Sequence, residues 1–499
     1  VKELPQGWVG AAIGEFVTSI DAGKNVRCVE RPPLAHEIGV VKVSAVSWGK
    51  FDPEASKILP AEYKPSPHTR IRKDDFLFSR ANTIDLVGAC VLVDVDPGNL
   101  YLSDKILRLN LLNQEKLWLL WFLRSPVGRR ALEAASSGNQ YSMRNISQSN
   151  FLNIEMLVAP LAEQRRIVAK LETLSARSKR ARAELDRLSG LVARAKQAIL
   201  VAAMTGELTA DWRVGRALES AESLVSRVRT PQQSRGGREA TQDVKPGVVA
   251  LSVNNPGTAL PERWTWVPLR RIARQETGHT PSRSHPEYWD GGIPWIGIRD
   301  ANAHHGREIH ETSQTVSEQG LANSSARLLP AGTVCLSRTA SVGYVTMMGR
   351  PMATSQDFAT WTCTAALHPK YLMYALIAEG DDIRNFGEGS THTTIYFPEI
   401  RAFNIALAPF EEQEEIVKRI ETAFVKLDRL TAQTRSAVRL LDRLEQVILA
   451  KAFRGELVPQ NPSDEPASVL LDRIRAGRVA PVKPPAHRRR LPRMSAAPR

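Results

Sequence analysis

The chain has 499 residues, with 67 Lys and Arg against 53 Asp and Glu, a formal net charge of +14. That length allows about three folded units, and each can bury a real core. No apolar run approaches the roughly 18 residues that span a membrane, and four scattered cysteines without CxxC spacing disfavour a disulfide framework or a zinc site.

The first block, 1–158, carries 19 basic against 17 acidic residues. Its stretch FLFSRANTIDLVGACVLVDV at 76–95 predicts a hairpin, and 115–135 predicts a buried helix from its apolar spacing. Gln140, Arg144 and Asn145, in SSGNQYSMRN, are candidates to line a reading surface or simply a helix-capping loop.

Residues 159–213 then begin a segment that reappears without a gap at 408–462, with Ala159 matching Ala408, Gln164 matching Gln413 and Gly206 matching Gly455. Such self-similarity makes the chain two copies of one plan, a globular block followed by a long helix. With Ile167 at d, successive a and d positions of the first helix fall on Leu171, Leu174, Ser178, Ala181, Leu185, Leu188, Val192, Ala195, Ile199 and Ala202. The second copy follows with Ile416, Ile420, Ala423, Leu427, Leu430, Thr434, Ala437, Leu441, Leu444 and Ile448. A heptad of this length predicts a coiled coil. Antiparallel pairing is expected because each globular block precedes its helix, and the small residues, Ser178 and Ala181 against Thr434 and Ala437, then either meet near the middle or merely thin the seam. The basic stripe Arg177, Lys179, Arg180 and Arg182 is read as a solvated face or a partner contact. Gly206 and Gly455 predict the helix stops.

Residues 214–259 are expected to hold a short trailing helix (ESLVSRVR, 222–229) and, over 230–258, a flexible linker rich in Gly, Pro and Gln. The second block, 260–407, has 13 basic against 14 acidic residues, so any polyanion footprint on it must come from local arrangement. Its landmarks echo the first block: LPERW at 260–264 repeats LPQGW at 4–8, and Arg338 repeats Arg80 after a strand. The repeated arginine suggests either a phosphate contact or a structural ion pair. Ser282, Arg283 and Tyr288 lie in a Pro-rich loop before the strand-like IPWIGI, while Trp289 and Trp295 are read as core. Gln356 is a further candidate reader. The His304, His305 and His310 group lacks a matching carboxylate helix and is read as a surface loop. Residues 408–461 form the second coil helix. Residues 462–499 add a short helix (SVLLDRIR, 468–475) and a basic tail, expected to be disordered from 477 onward.

No phosphate-cradling GxxxxGK[ST], HExxH or GxSxG pattern occurs, and no Gly-rich nucleotide loop follows a strand. These blanks argue against catalysis by this chain. GxTPSRS with YWxGxIPW, then LPAGTVxLSRxAxxG, SQDF and a duplicated APxxEQxxI with its coil, together resemble the specificity subunit of type I restriction–modification systems. The resemblance implies an α+β chain with two target recognition domains and two long helices. It implies that the blocks read the two halves of a split double-stranded DNA sequence. The coils, through residues such as Ile167, Leu185, Ile416 and Leu441, would dock two modification subunits, joined by restriction subunits. S-adenosylmethionine, ATP and Mg2+ would be used by those partners and not by this chain, in the cytoplasm. Two other readings stay open: a coiled-coil scaffold joining two protein-binding domains, and a modification-enzyme fragment that has lost its catalytic half.

Overall fold

A computed structural model describes residues 4–478 apart from 48, 112–115, 141–142, 234–237, 340 and 389–392. It divides into two compact units, Val1–Glu184 with Ser436–Arg499, and Leu185–Arg435. The basic tail beyond 478 lies outside the described residues.

In the first unit, strand Val17–Ala22 pairs with Ile106–Leu111, which pairs with Phe76–Ser79, which pairs with Cys90–Leu92. Phe76 stands opposite Leu92, so the expected hairpin forms. A three-stranded sheet sets Gly39–Val41 antiparallel to Ser56–Ile58 and parallel to Leu100–Tyr101. The predicted helix at 115–135 is instead two helices, Lys116–Arg124 and Pro126–Ala135. Pro126 cannot donate into a continuing helix, so it starts a new one, and the Ser125 side chain caps it by accepting from the Gly128 N–H.

The second unit repeats this wiring. Strand Ala273–Thr277 pairs with Phe358–Cys363, then Val334–Ser337, then Val345–Met348. Trp289–Ile296 lies antiparallel to Gln314–Val316 and parallel to Ala353–Thr354. The small sheet that joins each block to its helix also recurs: Val9 stands opposite Val158 and Thr265 opposite Leu407.

The expected linker is only partly a linker. Lys245–Pro246 and Leu251–Val253 are strands of the second unit, the latter paired with Phe403–Leu407. The buried Glu379 carboxylate fixes the turn between them by accepting the N–H groups of Val248, Val249, Ala250 and Leu251 at 2.6–3.2 Å. Composition alone missed this, because the acceptor lies well over a hundred residues downstream.

The two long helices are Leu161–Met204 and Phe410–Ala452. Gly206 and Gly455 follow them with φ of 78° and 72°, the left-handed conformation of a helix stop. Within the first unit Arg182 pairs with Asp442 at 2.6 Å, and within the second Lys196 pairs with Asp428 at 2.5 Å. Within the second unit Arg419 also donates to the Leu208 carbonyl at 2.8 Å, so the helix segments there run antiparallel.

Ile167, Leu171, Val192, Ile416 and Ile420 are buried as the heptad requires. Leu185, Leu188, Ile199, Leu427, Leu441 and Ile448 are half-buried. Leu430 and Leu444 are not core: they are 36 % and 50 % exposed. A two-helix seam has one partner side only, so part of the apolar set stays uncovered. Ser178 and Thr434 are both buried, and Ser178 shares a groove with Gln446. Ala181 is exposed.

The landmark tryptophans explain the repeated motifs. Trp8 Nε1 donates to Glu163 at 3.1 Å, and Trp264 Nε1 to Glu412 at 3.0 Å. Each block is therefore bonded to the first turn of the helix that follows it. The trailing helices Ala221–Arg227 and Ala467–Arg478 start beside the same tryptophans, with Ala467 N–H donating to the Gly7 carbonyl and Ala221 N–H to that of Arg263.

Candidate nucleic-acid interface

Each unit carries a groove built from the same elements. In the first it lies between the chain leaving Val17–Ala22, the end of Gly39–Val41 and residues 103–105. In the second it lies between the chain leaving Ala273–Thr277, the end of Trp289–Ile296 and residues 355–357. A glycine marks the entry to both. A Cβ on Gly23 would sit 1.7 Å from the Leu102 carbonyl oxygen, and one on Gly278 would sit 2.0 Å from that of Thr354. No other residue fits there, and that close approach holds the groove's two walls together.

Arg80 and Arg338 occupy one frame beside these grooves. Their N–H groups donate to Lys105 and Asp357, and their carbonyls accept from Ile146 and Ile395. Arg338 lies 4.4 Å over the Phe397 ring and donates to the Gln356 carbonyl at 3.1 Å, and burial pulls its pKa down. The Nε of each arginine is buried without a partner. The repetition thus belongs first to the backbone frame.

The linings, by contrast, share almost nothing. The first groove is lined by Lys24, Asn25, Lys42, Lys57, Asn82 and Lys105, with Lys42 and Lys57 both paired to Glu30. The second is lined by Thr280, Arg283, Arg299, Gln314 and Ser355, with the carboxylates of Asp300 and Asp357. Sequence reasoning found Arg283 but missed Gln314, Arg299 and the lysines of the first groove. The shared glycine after an early strand was the available signal.

Arg283 lies over Trp289, 4.2 Å from the ring centroid, and donates to Gln314 Oε1 at 3.0 Å. Gln356 accepts from the Thr280 hydroxyl at 2.6 Å. Ser282 is bonded to Ser284 at 2.7 Å, and Tyr288 stacks on His285 at 4.8 Å. Trp295 is buried, as expected, whereas Trp289 is half-buried because it supports Arg283. Arg144 turns back on its own hairpin, donating to Gly138 and Ser136, while Asn145 is exposed beside it. The side chain of Gln140 lies outside the described residues. His305 accepts from the Val345 N–H and burial lowers its pKa. Among the described residues no group of three or more His, Cys, Asp or Glu is arranged to hold a metal, and no helix is long and apolar enough to cross a membrane.

Two unlike grooves thus stand on one repeated frame. Residues 261–439 match the family described as type I restriction modification DNA specificity domain. The chain is 23% identical to the EcoKI specificity subunit of Escherichia coli K12 over 96% of this chain and 97% of that one. It is 24% identical to the Escherichia coli EcoDI specificity subunit over 73% and 77%. A 32% identity to the Escherichia coli EcoEI specificity subunit covers 34% of this chain and 29% of that relative. A chain from a structural study of type I R-M complex assembly and conformational transition aligns with a TM-score of 0.62 at 22% identity, covering 92% of this chain and all of that one. The chain thus resembles type I restriction–modification specificity subunits over most of its length, and the family match itself spans residues 261–439.

Proposed function

We propose that this chain reads a bipartite double-stranded DNA sequence, one half with each groove, and holds modification and restriction subunits through its paired long helices. The observation that carries this is the pair of equivalent grooves with unlike linings. A shared frame needs divergent side chains only if each copy faces a different sequence. Lys and Arg at the rims supply phosphate attraction, and Asn, Gln and Arg are the side chains that pair with base edges. Two small readers on one chain multiply their discrimination, since each wrong base pair costs about 1–3 kcal/mol. The partners supply S-adenosylmethionine, ATP and Mg2+ chemistry.

The test is to replace residues 260–407 with the corresponding block of a relative, express the hybrid with its modification subunit and map methylated sites across the host genome. One half of the methylated sequence should change while the other stays. Both halves changing together would end the two-reader account. A chain that directs no methylation and shows no salt-dependent DNA binding would favour the scaffold reading instead.

A further inference from the structure

We infer that the groove of the second block reads a guanine, with Arg283 and Gln314 as the reading pair, an inference that rests on the DNA-reading role proposed above. Arg283 is exposed on its loop, yet its guanidinium is held in place. It lies 4.2 Å from the Trp289 ring centroid and 6.0 Å from that of Trp295. The two indoles meet edge to face at 5.3 Å. Both are anchored through their ring N–H groups, Trp289 to the Ser282 carbonyl at 3.3 Å and Trp295 to the His279 carbonyl at 3.1 Å. A planar cation stacked this way is pre-organised, so little rotamer freedom is lost when it binds.

The hydrogen-bond sense of the pair follows from chemistry. Arginine has donors only, so the Gln314 atom 3.0 Å from Arg283 Nη2 must be the amide oxygen. Gln314 is left with its NH2 to offer. The nearby carboxylates are already engaged. Asp300 accepts from Ser313 N–H at 2.7 Å and Gly297 N–H at 3.1 Å, and Asp357 accepts from the hydroxyls of Thr339 and Ser355. Toward a ligand the Arg283–Gln314 pair itself offers donors, the free guanidinium N–H groups and the amide NH2. In the major groove guanine presents two adjacent acceptors, N7 and O6, whereas cytosine presents a donor and adenine a mixed edge. A donor-only pair therefore selects a G·C base pair. Lysines and asparagines line the corresponding walls of the first block, so the effect belongs to one half-site.

The experiment uses the full chain assembled with its modification subunits, a randomised pool of DNA duplexes, and sequencing of the bound fraction at fixed salt. Arg283→Ala and Gln314→Ala should each erase preference at the same G·C pair of one half-site. They should weaken binding to the wild-type site about tenfold or more and leave the other half-site unchanged. Arg283→Lys keeps the charge but not the stacked fork, and should likewise lose the base preference. Arg350→Ala, an exposed arginine outside the groove, should leave the enriched sequence unaltered. The inference is overturned if the Ala variants retain every base preference, if the lost position is an A·T pair, or if Arg283→Lys restores full discrimination. The first outcome, with binding weakened, would mark a phosphate contact. Enrichment of no sequence by the wild-type complex would instead sink the DNA-reading role itself, so the two failures are distinct.

Discussion

Glu163 and Glu412 hold the same post in the two copies, each receiving an indole N–H at the start of its long helix. Their surroundings differ. Glu412 also takes the Thr209 hydroxyl at 2.7 Å and is paired with Arg213, while burial dominates at Glu163 and pushes its pKa above the ordinary 4.5, against the smaller opposing effect of the Trp8 bond. A carboxyl with a raised folded-state pKa binds protons more tightly in the native state. Its stabilising contribution is complete below 4.5 and is lost as the pH climbs through the folded value. Glu163→Gln keeps an acceptor for Trp8 but does not titrate. The wild-type advantage over this variant should therefore be greatest in acid and shrink toward neutrality, which thermal melts across that range will show; an advantage that grows with pH would contradict the burial argument. Glu379 offers a sharper case. Glu379→Ala strands four backbone N–H groups that now share one buried carboxylate. It should destabilise the second unit by about 3 kcal/mol, read by chemical unfolding. A loss within about 0.5 kcal/mol would mean that water replaces the carboxylate.

Among the elements, the long helices bury some of their apolar residues and expose others. Val192 is 7 % exposed and packed into the seam, so Val192→Asp places an unpaired charge there and should cost several kcal/mol. Leu440 and Leu444 are 63 % and 50 % exposed on the second helix. Leu440→Ser with Leu444→Ser should leave stability within about 0.5 kcal/mol yet weaken capture of the modification subunit in a co-purification assay; unchanged capture would place the docking surface elsewhere. The same contrast marks how far the sequence could be read. The heptad announced both helices and the glycines their stops, because these depend on local spacing, whereas the antiparallel pairing was expected from the order of blocks and helices along the chain. It did not separate Val192 from Leu444, since periodicity records where apolar residues lie and not what covers them. The grooves were harder still. Gly39–Val41 lies parallel to Leu100–Tyr101, some 60 residues away, and no local pattern encodes that pairing or the loops it gathers. Gln314 reaches Arg283 across 31 residues of chain for the same reason.

For the whole molecule, the length of the long helices is a testable quantity. The helices run unbroken over Leu161–Met204 and Phe410–Ala452, and the pairs Arg182 with Asp442 and Lys196 with Asp428 fix which residues face each other. An insertion that keeps the Arg182–Asp442 pair in step falls after Arg182 in one helix and after Leu441 in the other. Seven residues preserve the phase of the seam, whereas three or four would over- or unwind it locally. One heptad adds about 10 Å to each helix at ~1.5 Å per residue, the length of about three base pairs at ~3.4 Å each. If the helices set the distance between the half-sites, the non-specific spacer of the methylated sequence should grow by one to about three base pairs. DNA twist and bending absorb the remainder. The half-site bases should stay as they are, because no groove residue is touched. Methylation mapping of the insertion variant reads both quantities at once. An active variant with an unchanged spacer would show that the distance is set by the partner subunits, and altered half-site bases would show that the grooves are not independent of the coil.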